Sequence, residues 1–336
     1  MRVLVVNAGS SSVKLRLLGD DDSLMAEHDL DAPRSEVDPA ALTSALDGLE
    51  ADVVGHRVVH GGTRYREAVR VDESVLRELQ GMVDLAPLHQ PKSLAALEAV
   101  SRALPDVPAV ACFDTAFHAT LPEAAYTYAL PAELRERFGV RRYGFHGLSH
   151  AYASRRAAEM TGASRIVTCH LGAGASLCAV LDGRSVDTTM GFTPLEGLVM
   201  ATRSGSVDPG LVLWLLERRR MTEPEMAAAL EHESGLLGLS GTPDMREVLE
   251  REDERARLAL DVYVHRLRAG IAAMAASLGG LDALVFTGGV GENSPRVREL
   301  ACDGLDFLGV TPDRVLVIPA REDLEIARQV RGLLAG

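Results

Sequence analysis

RVLVVNAGSSSVKLRL, residues 2–17, and RIVTCHLGAGASLCAVL, residues 165–181, are two versions of one design. In the first, the apolar run Arg2 to Val6 breaks at Asn7-Ala8-Gly9-Ser10-Ser11-Ser12 and resumes with period-2 alternation from Val13 to Leu17. That pattern reads as a strand, a tight polar turn and a second strand. In the second, Arg165 to Cys169 is the strand, His170 to Ser176 a glycine-rich turn, and Leu177 to Leu181 the returning strand. Such turns offer successive N–H groups and hydroxyls to an anion, with Lys14 able to reach back over the first. A standard P-loop is excluded, because no GxxxxGK followed by Ser or Thr occurs and no helix follows the turn. A plain hairpin with a serine-rich tip is the competing reading of residues 2–17 alone. The repetition implies two similar α/β halves with a ligand between them.

A chain of 336 residues exceeds the size at which single cores stop growing, so two domains are expected. The formal charge of −13 lacks the basic footprint that a nucleic acid or an anionic membrane needs, so neither is expected as a partner. An anionic ligand must therefore be met by local arginines. The only lysines are Lys14 and Lys92, which draws attention to the one beside a Gly/Ser turn. Four cysteines (Cys112, Cys169, Cys178, Cys302) show no metal-ligand spacing and read as reduced thiols of a cytoplasmic protein. No apolar run has the length of a signal peptide core or a membrane span.

The longest irregular stretch is Asp187 to Gly210, DTTMGFTPLEGLVMATRSGSVDPG, and loops of that length in compact domains carry function. Its arginine, Arg203, stands among small residues, which leaves a guanidinium open to phosphate or carboxylate. A surface arginine in a mobile loop is the alternative. Arg57 interrupts the apolar strand at 53–62, where it must either meet a carboxylate or face a ligand. His56 and His60 read as packing or loop histidines. A helix from Ser93 to Leu104 follows the proline-bracketed loop 85–91. The strand Val107 to Phe113 delivers Asp114 at an exposed end, where a metal site and a helix cap compete. His146 sits between glycines in RRYGFHGLSH, 141–150.

Residues 19–52 look polar and irregular, an edge or loop region. Helices are expected around Glu133 to Phe138, over Leu211 to Arg219 and from Met245 to Ser277, with Trp214 and its leucine stripe in the core. Ser234 to Gly241 reads as a glycine-rich break. The strand Ala283 to Phe286 runs into Thr287-Gly288-Gly289-Val290-Gly291-Glu292-Asn293-Ser294-Pro295, after which a helix begins. A last strand, Val315 to Ile318, leads to Glu322 and Asp323 at a helix start, where acids also suit the helix dipole.

In order and spacing these pieces resemble the acetate kinase (acetokinase) family, within the superfamily that joins acetate and sugar kinases to actin and the heat-shock chaperone ATPases. The resemblance rests on VNAGSSSVKL (6–15), GHRVVHGG (55–62), LAPLHQP (85–91), FDTAFH (113–118), RYGFHGLSH (142–150), HLGAGAS (170–176), ATRSGSVDPG (201–210) and FTGGVGEN (286–293). It implies an α/β protein of two ribonuclease-H-like (actin-like ATPase) domains with an interdomain cleft. Residues 1–115 plus 322–336 would form the N-terminal domain and 116–321 the nucleotide-binding one. It also implies ATP or ADP as co-substrate, Mg2+ with Mn2+ as an alternative, acetate and acetyl phosphate, and a homodimer.

Carried over by motif, the family's roles place Arg57, Asp114, His146 and Arg203 in catalysis. Asn7, Ser12, Lys14, His170, Gly172, Ala173 and Gly174 fall in the phosphate turns, and Asp244, Met245, Arg246, Gly288, Gly289, Gly291, Glu292 and Asn293 at the nucleoside end. Asn7, Asp114 and Glu322 match metal-associated positions, and Val59, Leu88, Phe145 and Pro194 the acyl pocket. Acetate is ionised at neutral pH, so its attack on the γ-phosphate needs no base, only in-line positioning and screening of anionic repulsion. The chain departs from the family at Ala173, where an asparagine is usual, at Ser206, where an aspartate is usual, at Ala320-Arg321-Glu322-Asp323, and in a shortened 19–52. Propionate or another short acid as acceptor, and a catalytically weak nucleotide-binding switch, are the alternative functions.

Overall fold

The structure is a computed structural model that describes residues 1–9, 12–31, 38–86, 90–217 and 220–335. Ser10, Ser11 and Leu88 lie outside the described residues. In chain order the elements are β1 (Val3–Ala8), β2 (Ser12–Leu18), β3 (Leu24–Asp31), α1 (Pro39–Leu46), β4 (Val53–Val58), β5 (Val69–Arg70), α2 (Glu73–Gln80), α3 (Gln90–Ala103) and β6 (Ala109–Phe113). There follow α4 (Glu123–Tyr126), α5 (Ala132–Phe138), α6 (Gly147–Thr161), β7 (Arg165–Leu171), β8 (Ala175–Leu181), β9 (Arg184–Thr188), α7 (Pro209–Glu217), α8 (Glu223–His232), α9 (Gly235–Ser240) and α10 (Met245–Glu250). The last are α11 (Glu254–Leu278), β10 (Ala283–Thr287), α12 (Gly288–Asn293), α13 (Pro295–Cys302), β11 (Val315–Val317) and α14 (Glu322–Ala335). Two compact units result: Met1–Ala119 with His146–Tyr152 and Arg321–Gly336, and Thr120–Phe145 with Ala153–Ala320.

The first unit is built on a sheet of order β3-β2-β1-β4-β6-β5. β1 and β2 pair antiparallel from Val3↔Leu18 to Ala8↔Val13, while β1, β4 and β6 run parallel. Period-2 alternation sorts the faces. Leu4, Val6, Leu15 and Val54 pack with Leu42 and Leu46 of α1 and Val100 of α3. Val3, Val5, Val53 and Cys112 pack with Ile326, Ala327 and Val330 of α14. Gly55 makes that second contact possible, since a Cβ there would stand 2.6 Å from Ile326 Cγ2. The close seat of α14 on β4 brings its first residue, Glu322, to the strand ends.

The second unit repeats the plan as β11-β10-β7-β8-β9, with β7 and β8 antiparallel from Arg165↔Leu181 to Leu171↔Ala175 and β7, β10 and β11 parallel. α11 lies against β7, β8 and β9. Each sheet therefore has a hairpin on one side of its first strand and parallel strands on the other, the ribonuclease-H-like order expected.

Several expectations are corrected. Residues 19–52 do supply a sheet edge, but through regular elements, β3 and α1; β3, LMAEHDLD, is almost wholly exposed and lacks the apolar alternation that would announce a strand. The glycine-rich 234–241 is largely helix α9, where Gly235 takes φ 62 and a Cβ would meet Met200 O at 2.1 Å. The helix expected over 245–277 is two, parted at residues 251–253, where the Asp253 side chain accepts from the N–H groups of Arg255 and Ala256. The helix expected after the glycines is α13, from Pro295, but the glycines themselves form a further short helix, α12, from Gly288. Trp214 is not core: it is 51% exposed, with Leu211 at 48% and Leu213 at 58%. A helix α8, capped by a Thr222–Glu225 capping box, follows it.

His56 and His60 are buried, and desolvation pushes their pKa values down to about 3 and about 4. His60 Nδ1 accepts from Gly62 N at 2.8 Å, whereas neither ring nitrogen of His56 has a hydrogen-bond partner among the described residues. Both fold as neutral rings, and below pH 6.5 the unfolded chain binds protons that the folded one refuses. Stability should fall by about 2 kcal/mol for each histidine between pH 7 and pH 5. Urea unfolding at the two pH values should show a difference smaller by about one such step in His56→Gln; an equal difference would contradict it.

Candidate active site

The parallel strands of the first unit end together, and their ends carry the expected residues. Asn7 is the last residue but one of β1, Arg57 stands near the end of β4, Asp114 follows β6 and Glu322 begins α14. Arg57 donates through Nε to Asp114 Oδ1 at 3.1 Å and through Nη2 to Oδ2 at 2.5 Å. Its Nη1 donates to Asn7 Oδ1 at 3.3 Å, and its Nε lies 3.7 Å from Glu322 Oε2. Asn7 Nδ2 donates to the same glutamate oxygen at 2.8 Å. Of the two readings left open for Arg57, the carboxylate partner is the one realised here.

Asp114 corrects one expectation, being 1% exposed rather than at an open strand end. Burial, with repulsion from Glu322, holds its carboxyl above the usual carboxylate range against the pull of Arg57. Burial also opposes the charge on Arg57, but Asp114 and Glu322 outweigh it and keep the guanidinium protonated. Gly147 explains the glycine after His146: its N–H donates to Asp114 O at 2.9 Å, and a Cβ would stand 2.1 Å from that oxygen. α6 thus starts tight against the end of β6. His146, just before it, has φ 57, a left-handed conformation uncommon for a side-chain-bearing residue and concentrated at functional sites. Lys14 is exposed and faces Asn7 in the β1–β2 register, next to Ser12 at the start of β2. Val59 is buried just beyond β4.

In the second unit, a cavity of about 860 Å³ is lined by Gly172, Ala173, Asp244, Met245, Arg246, Gly289 and Asn293, all expected at the nucleotide. Asp244 caps α10 and pairs with Arg246 at 2.6 Å. Gly288 has φ 80, and a Cβ would come within 2.8 Å of Leu171 O, so α12 starts hard against β7. His170, Gly174, Gly288, Gly291 and Glu292 do not line the cavity. Glu292 turns its carboxylate to the N–H groups of Gly288 (2.9 Å) and Ala320 (2.8 Å). Sequence reasoning missed Leu236, Leu249 and Tyr263 on the wall, because their apolar spacing is that of ordinary helix packing.

Arg203 is held differently from Arg57. Its Nη1 donates to Pro194 O at 3.0 Å, and among the described residues no carboxylate lies within salt-bridge distance. Burial drives its pKa down, with Glu231 opposing. A half-buried guanidinium in contact with no carboxylate suits an anionic ligand. The loop around it folds on itself: Ser206 N donates to Gly197 O at 3.0 Å and Ser206 Oγ accepts from Gly197 N at 3.1 Å. Phe145 is buried in the same unit.

The Acetokinase family model matches residues 36–327. The chain belongs to the acetokinase family. An acetate kinase of Thermotoga maritima is 43% identical over 400 aligned residues, covering 99% of both chains. Among solved structures, Porphyromonas gingivalis acetate kinase superposes with a TM-score of 0.90 at 36% identity over 99% of each chain. A propionate kinase from Francisella tularensis gives a TM-score of 0.90 at 33% identity over 98% of each. As an acetokinase, the chain is a phosphotransferase of the actin-like ATPase superfamily, with ATP or ADP as co-substrate.

Proposed function

We infer that this chain transfers the γ-phosphate of ATP to acetate, giving acetyl phosphate and ADP, reversibly and with Mg2+. The observation that carries the reading is the 43% identity to a curated acetate kinase across 99% of both chains. The chemistry of the residues agrees with it. Acetate needs no general base, and an arginine with no carboxylate partner, Arg203, is available to an anion. The reaction then depends on holding two anions in line and stabilising the phosphoryl group between them. Arg57, Arg203 and His146 are the residues we assign to that task, with Val59, Phe145 and Pro194 around the methyl group.

Asp114 and Glu322 fit a hard divalent cation. They share one guanidinium, and burial with repulsion from Glu322 disfavours the ionisation of Asp114. Among the described residues no group of three or more His, Cys, Asp or Glu could hold a metal unaided. Mg2+ is commonly bound by one or two carboxylates with water and phosphate oxygens completing the shell. Bound there beside Asn7, it would neutralise charge on the phosphates. The nucleoside end we assign to the cavity lined by Ala173, Asp244 and Asn293.

ATP formation from ADP and acetyl phosphate, with propionyl phosphate run beside it, tests the reading. Acetyl phosphate should be the better donor. A faster reaction with propionyl phosphate would reassign the acyl group, and no ATP from either would sink the proposal.

We also propose a homodimer in the cytoplasm. Supporting the first, α7 is apolar along most of its length, PGLVLWLLE, yet buries none of its residues in the chain. Exposed apolar surface of that kind marks association sites. Leu213→Glu should convert the dimer to monomer in analytical ultracentrifugation; an unchanged mass would place the interface elsewhere. Supporting the second are four free cysteines, three of them buried. Among the described residues no helix is long and apolar enough to cross a membrane.

A further inference from the structure

Within the second unit, the loop that carries Pro194 is strapped down by the side chains of Arg142, Tyr128 and Glu196, to none of which the sequence reading gave a role. Arg142 donates from Nη1 to the carbonyls of Thr189 (3.1 Å) and Met190 (3.0 Å), and from Nη2 to Glu196 Oε1 (2.8 Å). The Tyr128 hydroxyl donates to the other oxygen, Glu196 Oε2, and accepts from Phe192 N at 2.9 Å. The Arg142 guanidinium also lies over the Tyr128 ring, 5.5 Å from its centroid. Tyr143 N and Gly144 N both donate to Gly191 O, at 3.0 and 3.3 Å. Position 191 must be glycine for the carboxylate to fit: a Cβ would stand 1.7 Å from Glu196 Oε2 and 2.2 Å from Tyr128 Oη.

The Arg142 Nη1 and Nη2 and the Tyr128 hydroxyl all bond to the segment 189–197. Burial first, then Glu196, keeps the Tyr128 phenol protonated and so a donor. The segment ends in the carbonyl of Pro194, which receives Arg203 Nη1, and in Gly197, whose backbone pairs with Ser206 on the far side of Arg203. Arg203 has no carboxylate to orient it, so its direction is set by the loop it touches. The clamp therefore does for Arg203 what an ion pair does for Arg57.

We propose that Glu196, gripped by Arg142 and Tyr128, is a positioning residue that fixes the 189–197 loop and through it aims Arg203 and Pro194 at the acyl acceptor. This rests on the acetate kinase reading. Losing the charge or the hydroxyl should loosen the acid site and leave the cavity at Ala173 and Asp244 unchanged, because none of the three residues lines it.

The test compares Glu196→Gln and Tyr128→Phe with the parent chain in acyl phosphate formation, and follows backbone hydrogen exchange by mass spectrometry. The expected result is a fall of about 10- to 100-fold in kcat/KM for acetate, KM for ATP within about twofold, and faster exchange of the 191–197 amides. Acetate kinetics within about twofold of the parent in both variants would overturn the proposal. So would a parallel loss of ATP affinity, which is the mark of general destabilisation. If the parent itself makes no acetate-dependent product, the functional reading is what fails. The exchange data then decide the clamp alone: faster exchange in Glu196→Gln keeps it, and unchanged exchange removes it.

Discussion

Arg203→Ala should lose about 10³- to 10⁵-fold in turnover, the range over which an arginine stabilises a phosphoryl group in transfer, while resisting denaturant at least as well as the parent. The second half of that expectation comes from its surroundings. Burial depresses the Arg203 pKa, and its hydrogen bonds go to Pro194 O and Met200 Sδ, not to a carboxylate. Removing a half-buried cation that touches no carboxylate relieves a desolvation cost rather than breaking a contact pair. Function and stability would thus move in opposite directions, as expected where a site holds unfavourable charge for a ligand's sake. Steady-state turnover beside urea unfolding checks both halves. A rate within tenfold of the parent, or a loss of several kcal/mol in stability, would count against the assignment.

Arg57→Ala should lose activity to a similar degree but for a different physical reason, and should lose stability as well. Its guanidinium lies within 4.0 Å of both Asp114 and Glu322, and Asn7 binds both it and Glu322. Without it two neighbouring carboxylates remain, one of them wholly buried. Breaking a buried pair by removing one partner costs about 3–5 kcal/mol. The double variant Arg57→Ala/Asp114→Asn removes one of the stranded charges, so it should regain part of the stability and none of the activity. Denaturation midpoints with a turnover assay separate these outcomes. Arg57→Ala as stable as Arg203→Ala would mean that the Asp114 pair is not what holds this corner of the fold.

The contrast between the two arginines shows where sequence reasoning reaches its limit. Both were found from one rule, that arginine among apolar or small residues must have a partner. Which partner each has depends on residues 57 and 265 positions away from Arg57, Asp114 and Glu322, and no local pattern encodes that. The paired strand–turn–strand units were legible because period 2 and glycine turns are local signals, and they placed Lys14 on the returning strand and Gly172 and Ala173 in the turn, whereas Asn7, read as the first turn residue, lies inside β1 opposite Lys14. Edge strand β3 was not legible, since exposure on nearly every residue erases the alternation. α9 was hidden by its glycines, whose low helix propensity is overridden by the fit of Gly235 against Met200. Trp214 misled because a leucine-rich helix looks alike whether its own chain or another surface covers it. The Arg142–Glu196–Tyr128 cluster gives no periodic signal at all, its members lying 54 and 68 positions from Glu196.

The departures at Ala173 and Ser206 take on physical meaning in the structure. Ala173 lines the nucleotide-sized cavity and offers only its methyl side chain, while its carbonyl accepts from Ala201 N at 3.1 Å. Ser206 spends its hydroxyl on Gly197 N, closing the loop around Arg203. Neither change touches Arg57, Asp114, Glu322 or Arg203, so the reacting centre we assign keeps its full set of charges.

The central claim is that this chain phosphorylates acetate and that Arg203 is required for it. It is tested most directly by trapping acyl phosphate with hydroxylamine from ATP, Mg2+ and acetate, with propionate and butyrate in parallel, for the parent chain and Arg203→Ala. Acetate-dependent hydroxamate from the parent, falling from acetate to butyrate and lost in Arg203→Ala, is the predicted result. A parent chain that binds ATP yet forms no hydroxamate with any of the three acids would contradict it.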